Sequence, residues 1–303
     1  MELIRPDTRF DFLGKRKITV IISAAAIIFS LGSIFFHGGL RYGVDFAGGI
    51  LLQIKFSKVI NISEVRNALE AIGSKDAMVQ KFGGENEFLI RIEKSSGDLE
   101  EMSKTLQASL QGQFKDKAIE IRRVEVVGPK VGKDLKIKAI WAMGLAFSGI
   151  LIYVAFRFRQ FSYGLGGIVA LVHDIIVTFG AISIFNLEFS LSLLAVILTI
   201  IGFSINDTIV IFDRVRENIK KMRKEKLETI FNVSINETLG RTILTSGTVM
   251  MVILILFFFG GPVIHDFTTA MIVGLISGTY STVYIASPIV LLWHHHITLK
   301  RKR

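Results

Sequence analysis

LSLLAVILTIIGFSINDTIVIFDRVREN, residues 191–218, opens as a membrane-spanning helix and then places a carboxylate inside it. The stretch is almost wholly apolar at first. It then meets Ser204, Asn206, Asp207 and Thr208 while the apolar residues 209–212 still lie ahead of the polar run that starts at Asp213. At ~1.5 Å per helical residue, Asp207 lies roughly 9 Å inside that boundary. An Asp near the middle of a spanning helix costs about 2.5–3.5 kcal/mol on insertion scales, so it is tolerated chiefly where a bundle interior, a partner charge or a water path receives it. Asp207 is therefore the first candidate for function; the plainer reading is a capping group at the water boundary.

The rest of the composition agrees with a membrane chain. Half of the 303 residues are hydrophobic, and several apolar runs reach the length that crosses a bilayer. The formal charge of +10 comes from Lys and Arg gathered in short segments between those runs, where they set orientation, and this argues against a nucleic-acid partner. With no cysteine there is neither a disulfide framework nor a thiolate metal site. The first apolar run lacks a small-residue cleavage site and reads as a retained anchor.

Taken in order, residues 1–17 are polar and end in Lys15, Arg16 and Lys17, which keeps them cytoplasmic, and residues 18–36 cross. Residues 37–136 read as a small external domain. Within it, residues 50–56 alternate as a strand. A helix over 63–72 is capped by Ser63 without a full capping box, and short strands over 77–82 and 87–92 flank the Gly83-Gly84 turn. Asp98 caps a second helix, and residues 119–127 form a last strand. The order β-α-β-β-α-β is that of a ferredoxin-like α+β domain. Further spans follow at 139–156, 164–185, 191–212, 242–259 and 267–293, and both the basic loop 213–241 and the tail 294–303 are cytoplasmic. The basic residues Arg157 and Arg159 mark another inside loop. The expectation is six spans, both ends inside, and one external domain between the first two. Lys130, Lys133, Lys136 and Lys138 oppose this assignment, but long translocated domains largely escape the positive-inside rule.

Other polar groups fall within the spans. Arg241, Thr245 and Thr248 share a helical face, a stripe that lipid would reject and that is expected to face protein. Arg241 can reach Asp207 as an ion-pair partner or can snorkel to the interface. His173 and Asp174 in the third span read equally as a second proton site or as hydrogen-bonding links between helices. In the last span, Ala270, Gly274, Gly278, Thr282 and Ala286, with Ser277 and Ser281, read as a close-packing face, and Pro288 as a kink. The adjacent His294, His295 and His296 have poor ligand spacing, and no metal is assigned. Asp45, between Gly43 and Gly48-Gly49, reads as a turn residue entering the first strand.

Four segments resemble signatures of the SecD/SecF family of bacterial protein-export membrane proteins: RYGVDFAGG (41–49), VGPKVGKDL (127–135), IGFSINDTIVIFDRVREN (201–218) and TLGRTILTS (238–246). Ala47 and Gly240 depart from the commoner residues of those signatures. The resemblance implies a place in the resistance-nodulation-division superfamily. It also implies a bacterial inner-membrane location and a SecD-like membrane subunit as partner. The work implied is proton-motive-force-dependent export of unfolded preprotein beside the Sec translocation channel. Protons would be the coupling ion, and no other cofactor is expected. Asp207 and Arg241 match positions that the family associates with proton passage, with Asn206 and Thr245 beside them and Asp174, His173 and Asp213 in second rank. A coupling role for Asp45, Gly48 and Gly49 rests on the resemblance alone.

Three other readings compete. Half of a proton-coupled small-molecule efflux transporter is disfavoured by the single short external domain. An intramembrane protease using Asp174 and Asp207 would need two facing carboxylates that share a proton. A scaffold subunit that only braces a partner needs no titrating group. No hydrolytic site is recognised, so an enzyme is not expected.

Overall fold

Two units divide the chain: a helical one of residues 1–40, 143–187 and 192–303, and an α/β one of residues 41–142 and 188–191. The structure, a computed structural model, describes residues 9–74, 77–92, 98–114, 117–158 and 160–301. Arg159 of the inside loop, residues 1–8, and Lys302 and Arg303 of the tail lie outside the described residues. In chain order the elements are α1 (Arg16–Phe36), α2 (Val44–Ala47), β1 (Gly49–Phe56), α3 (Ile62–Ala71), β2 (Met78–Lys81), β3 (Glu87–Ile92), α4 (Leu99–Gln113) and β4 (Ile119–Val127). They continue with α5 (Pro129–Phe158), α6 (Phe161–Ile184), α7 (Leu191–Lys221), α8 (Leu227–Phe259), α9 (Pro262–Ser281), a π turn (Thr282–Ala286) and α10 (Ser287–Arg301).

In the α/β unit the four strands lie in the order β2-β3-β1-β4, every neighbouring pair antiparallel. The central strand β1 is apolar because it is enclosed. Its alternate residues Ile50, Leu52, Ile54 and Phe56 are fully buried with Val65 and Leu69 of α3 and Leu106 and Leu110 of α4. The helix starts are chemically explicit. Asp98 accepts from the backbone N–H groups of Glu100 and Glu101, as its position before the apolar periodicity predicts. For α3 the sequence reading is corrected: Asn61, not Ser63, is the cap, and Glu64 completes the box by returning a bond to the Asn61 N–H. The Glu64 carboxylate also receives Lys117 at 2.6 Å, and together the lysine and the Asn61 amide hold it below the usual carboxylate range.

The sheet's entry and exit meet at glycines. Gly48 has φ 78° and ψ 163°, a region that is essentially glycine-only. A Cβ there would lie 3.0 Å from the Pro129 Cα, and one on Gly132 would lie 3.1 Å from the Gly48 nitrogen. The Gly48-Gly49 segment and the first turn of α5 thus pack backbone against backbone. The segment 127–135, read as a connection, is helical from Pro129 onward, because proline is favoured in a first helical turn. Consequently Lys130, Lys133, Lys136 and Lys138 ride on the same helix as the second span.

Among the described residues six helices are long and apolar enough to cross a membrane, as expected, the last being interrupted by the π turn. In the helical unit, α6, α7 and the last span are 56% buried over their most apolar window, against 11–17% for α1, α5 and α8; the first three therefore form its interior. The loop read at 213–241 is mostly helix, with only residues 222–226 between α7 and α8. Its polar side chains bond across the hairpin: Arg214 pairs with Glu237 at 2.6 Å, and Asn218 donates to Ser234 at 3.0 Å. Pro288 produces a π turn immediately upstream, where its ring would otherwise meet the carbonyl of Tyr284.

Gly48→Ala is expected to destabilise the α/β unit by about 1–3 kcal/mol, the cost of an L residue held in that backbone region. Hydrogen exchange of the β1 amides in the full chain measures it; wild-type protection in the variant would contradict the assigned strain.

Candidate functional site

On α7 the buried residues Ser204, Thr208, Ile211, Val215 and Asn218 fall three or four apart, with Asp207 beside Thr208 on the same side, so one helical stripe carries both the apolar packing and the polar groups. This periodicity separates Asp207 from its neighbour. Asp207 is 3% exposed, whereas Asn206, about 100° round the helix, is exposed and takes no part in the buried cluster.

The best-formed polar centre is built around Asp174 on α6, which is 1% exposed. Its Oδ2 accepts from the Ser204 hydroxyl of α7 at 2.7 Å and from the Ser281 hydroxyl of α9 at 2.6 Å. Its Oδ1 accepts from the Ser277 hydroxyl at 2.6 Å and lies 3.1 Å from the Nδ1 of His173. One carboxylate thus ties three helices together. The small-residue face of α9 makes this possible. A Cβ on Gly278 would lie 3.1 Å from the Ser204 Cβ, and one on Gly274 would collide with Ile200. The packing read for that face is observed, and two of its serines serve the carboxylate as well. Their signal in the sequence was the i, i+4 spacing of Ser277 and Ser281, one face turned toward a buried acid. The His173 ring packs against Tyr280 with centroids 6.2 Å apart, and its Nε2 has no hydrogen-bond partner among the described residues.

Asp207 sits one turn beyond Ser204, and its Oδ2 is buried without a hydrogen-bond partner among the described residues. The adjacent Thr208 hydroxyl lies 3.0 Å from that of Thr282 in the π turn, which fixes α7 against the last span at this level. From α8, Ser246 faces the carboxyl, and Arg241 is the cation whose charge acts on it. The two do not form an ion pair among the described residues; the guanidinium is exposed. The stripe Arg241, Thr245, Thr248, expected to face protein, is not covered by the described residues of this chain. Arg241 and Thr248 are exposed on the chain's own surface and Thr245 is half-buried. The two threonine hydroxyls bond back to carbonyls of α8, such as Thr245 to that of Arg241 at 3.0 Å. The buried edge of α8 passes instead through Thr238 and Thr242, with Ser246 half-buried and 3.2 Å from Thr279.

Asp213 belongs to neither cluster. It pairs with Arg157 of α5 and lies 3.5 Å from Arg216. In the α/β unit Asp45 lies in α2 rather than in an open turn, and its Oδ2 accepts from the backbone N–H of Leu191 at 2.9 Å. The same short segment is held by the Arg91 to Glu188 ion pair and by the Gly43 N–H to Phe189 carbonyl bond at 2.9 Å.

Asp174 and Asp207 share no hydrogen bond, and the serines occupy the oxygens of Asp174, so the paired-carboxylate arrangement of an aspartyl protease is not present among the described residues. What the helical unit defines is a multi-pass membrane protein with ionisable side chains in its interior, where such groups generally mark ion pathways. The family model described as "Protein export membrane protein SecD/SecF, C-terminal" matches residues 106–296, and the "SecD/SecF GG Motif" model matches residues 33–58. The chain belongs to the SecD/SecF family.

It is similar to the protein translocase subunit SecF of Calditerrivibrio nitroreducens, 45% identical over 96% of both chains. The subunit of the same name from Thermodesulfovibrio yellowstonii is 43% identical over 97% of this chain and 98% of its own. The crystal structure of SecDF, a translocon-associated membrane protein from Thermus thermophilus, superposes with a TM-score of 0.85 at 34% identity over 97% of this chain. The chain spans 40% of the length of that larger protein.

Asp174→Ala strands the hydroxyls of Ser204 and Ser277 and should destabilise the helical unit by about 1–3 kcal/mol for each unsatisfied group. Asp174→Asn, which keeps an acceptor oxygen, should cost distinctly less. Thermal unfolding of the full chain in nanodiscs checks the order; equal losses would remove the hydroxyl cage as the cause.

Proposed function

We propose that this chain is a proton-motive-force-dependent accessory subunit of the Sec preprotein export machinery, acting with a SecD-like membrane subunit in the late steps of translocation across the bacterial inner membrane. The observation that carries the reading is the Asp207 carboxyl, 3% exposed, with one oxygen unpartnered among the described residues. A buried carboxylate without its full set of donors gains by taking a proton, and the same group loses it again when a cation or water approaches. The relatives named protein translocase subunit SecF and the solved SecDF support the export role.

In this mechanism the basic turn between α7 and α8 and both chain ends are cytoplasmic, and the ferredoxin-like α/β unit lies on the external side, where unfolded preprotein emerges from the Sec channel. Protons reach Asp207 along a seam completed by the partner, for which the exposed Arg241, Thr245 and Thr248 stripe supplies polar groups on this chain. Protonation of Asp207 releases the attraction of Arg241, and α7 and α8 shift. Asp174 with His173 is a second protonatable pair on the same helix stack, and Asp45 with the Gly48-Gly49 segment passes the movement to the sheet. Each charge that crosses supplies about 2.3 kcal/mol per 100 mV, an equilibrium bias of about fifty-fold. The chain acts as a transport subunit and not as an enzyme.

Reconstituted with its SecD-like partner in vesicles carrying arrested preprotein, Asp207→Asn should abolish proton-driven release, and Arg241→Gln should reduce it about tenfold or more. Assembly with the partner should remain normal. Release at the wild-type rate from a well-assembled Asp207→Asn complex would leave only a scaffold role.

A further inference from the structure

The outer face of α5 carries a groove that the proton mechanism does not use. Gly149, Ile152, Tyr153, Phe156 and Arg157 line it at spacings of three and four, and Arg216 of α7 closes its end, around a space of about 610 Å³. Its walls are apolar and open: Phe156 is 87% exposed and Ile152 67%. Apolar exposure on a spanning helix is ordinary; the notch and the charged end are not. At its far end Gly149 lines the space without a side chain and faces open room. At the other end two guanidinium groups share one carboxylate: Arg157 pairs with Asp213, while Arg216 reaches it at 3.5 Å and donates to the Arg157 carbonyl at 3.4 Å. One net positive charge remains, together with most of the N–H donors of two planar forks suited to phosphate.

The dimensions decide what fits. The eight helical steps from Gly149 to Arg157 rise about 12 Å, close to the hydrocarbon depth of one leaflet, roughly half of ~30 Å. A ligand with an anionic head and a chain of that length has the matching shape and charge. We infer that this groove holds one anionic phospholipid, its phosphate between Arg157 and Arg216 and an acyl chain along Phe156 and Ile152 toward Gly149. That the lipid belongs to the cytoplasmic leaflet rests on the orientation given above; its binding does not.

Three forms of the full chain separate the contributions. Arg157→Gln with Arg216→Gln removes the charge. Gly149→Leu fills the notch, keeps both arginines and favours the helix. Lys221→Gln with Lys224→Gln removes equal charge from the exposed basic turn as a control. Native mass spectrometry during delipidation, with phosphatidylglycerol and phosphatidylcholine as probes, should find one phosphatidylglycerol retained by wild type and by the lysine control. Retention should be about tenfold weaker or more in both groove variants, and phosphatidylcholine should be lost from all. Equal retention in the groove variants, equal retention of phosphatidylcholine, or displacement by millimolar inorganic phosphate would each overturn the assignment. So would a protein cross-link from Phe156 to a partner subunit in place of lipid. Because the readout is lipid mass, its failure leaves the export reading untouched, and a silent Asp207 leaves the lipid site untouched.

Discussion

A single carboxylate in a dry interior sets the terms for the helical unit. Asp174 cannot be buried without donors, and the chain provides them from the Ser204, Ser277 and Ser281 hydroxyls on α7 and α9. Lipid tails are as apolar as leucine, so helices in a bilayer gain little by burying leucine against leucine. Close approach and interhelical hydrogen bonds remain, and both converge here. The glycines of α9 let it come near enough for its serines to reach the acid, and the same approach fixes the rotation of α7. That rotation turns Asp207 inward and Asn206 outward.

The contrast between the two acids is therefore informative. Asp174 has donors on both oxygens and behaves as a fastening, whereas Asp207, one turn past Ser204, retains an oxygen without a partner. A satisfied group resists change and an unsatisfied one invites it. The helical unit thus holds one acid with donors on both oxygens, on α6, and one with an oxygen unpartnered among the described residues, on α7, and the asymmetry follows from which hydroxyls α9 presents at each level.

Much of this was legible in the residues. Apolar run lengths gave the six helices, the period-two and period-3.6 patterns gave the strands and helices of the α/β unit, and the charge inside residues 191–212 singled out Asp207. What sequence could not supply was rotation and partnership. Asn206 and Asp207 are adjacent in the text, yet one is exposed and the other buried. Asp213 looked like one more acid beside the cluster but is claimed by arginines, one of them 56 residues away. The cap of α3 was missed by two residues because Ser63 also suits that position, and the box with Glu64 settles on Asn61. The helical continuation of α7 and α8 into the basic segment was hidden because charge was read as loop, although Arg214, Asn218 and Glu237 satisfy one another across it.

The π turn at Thr282–Ala286 gives the last span a spare residue. A helix that winds wide by one residue can hand that slack along its length, and each residue represents about 100° of rotation. Were the slack passed toward Ser277 and Ser281, the hydroxyls that grip Asp174 would swing away while α10 kept its place. That irregularity lies at the level where Thr282 meets Thr208.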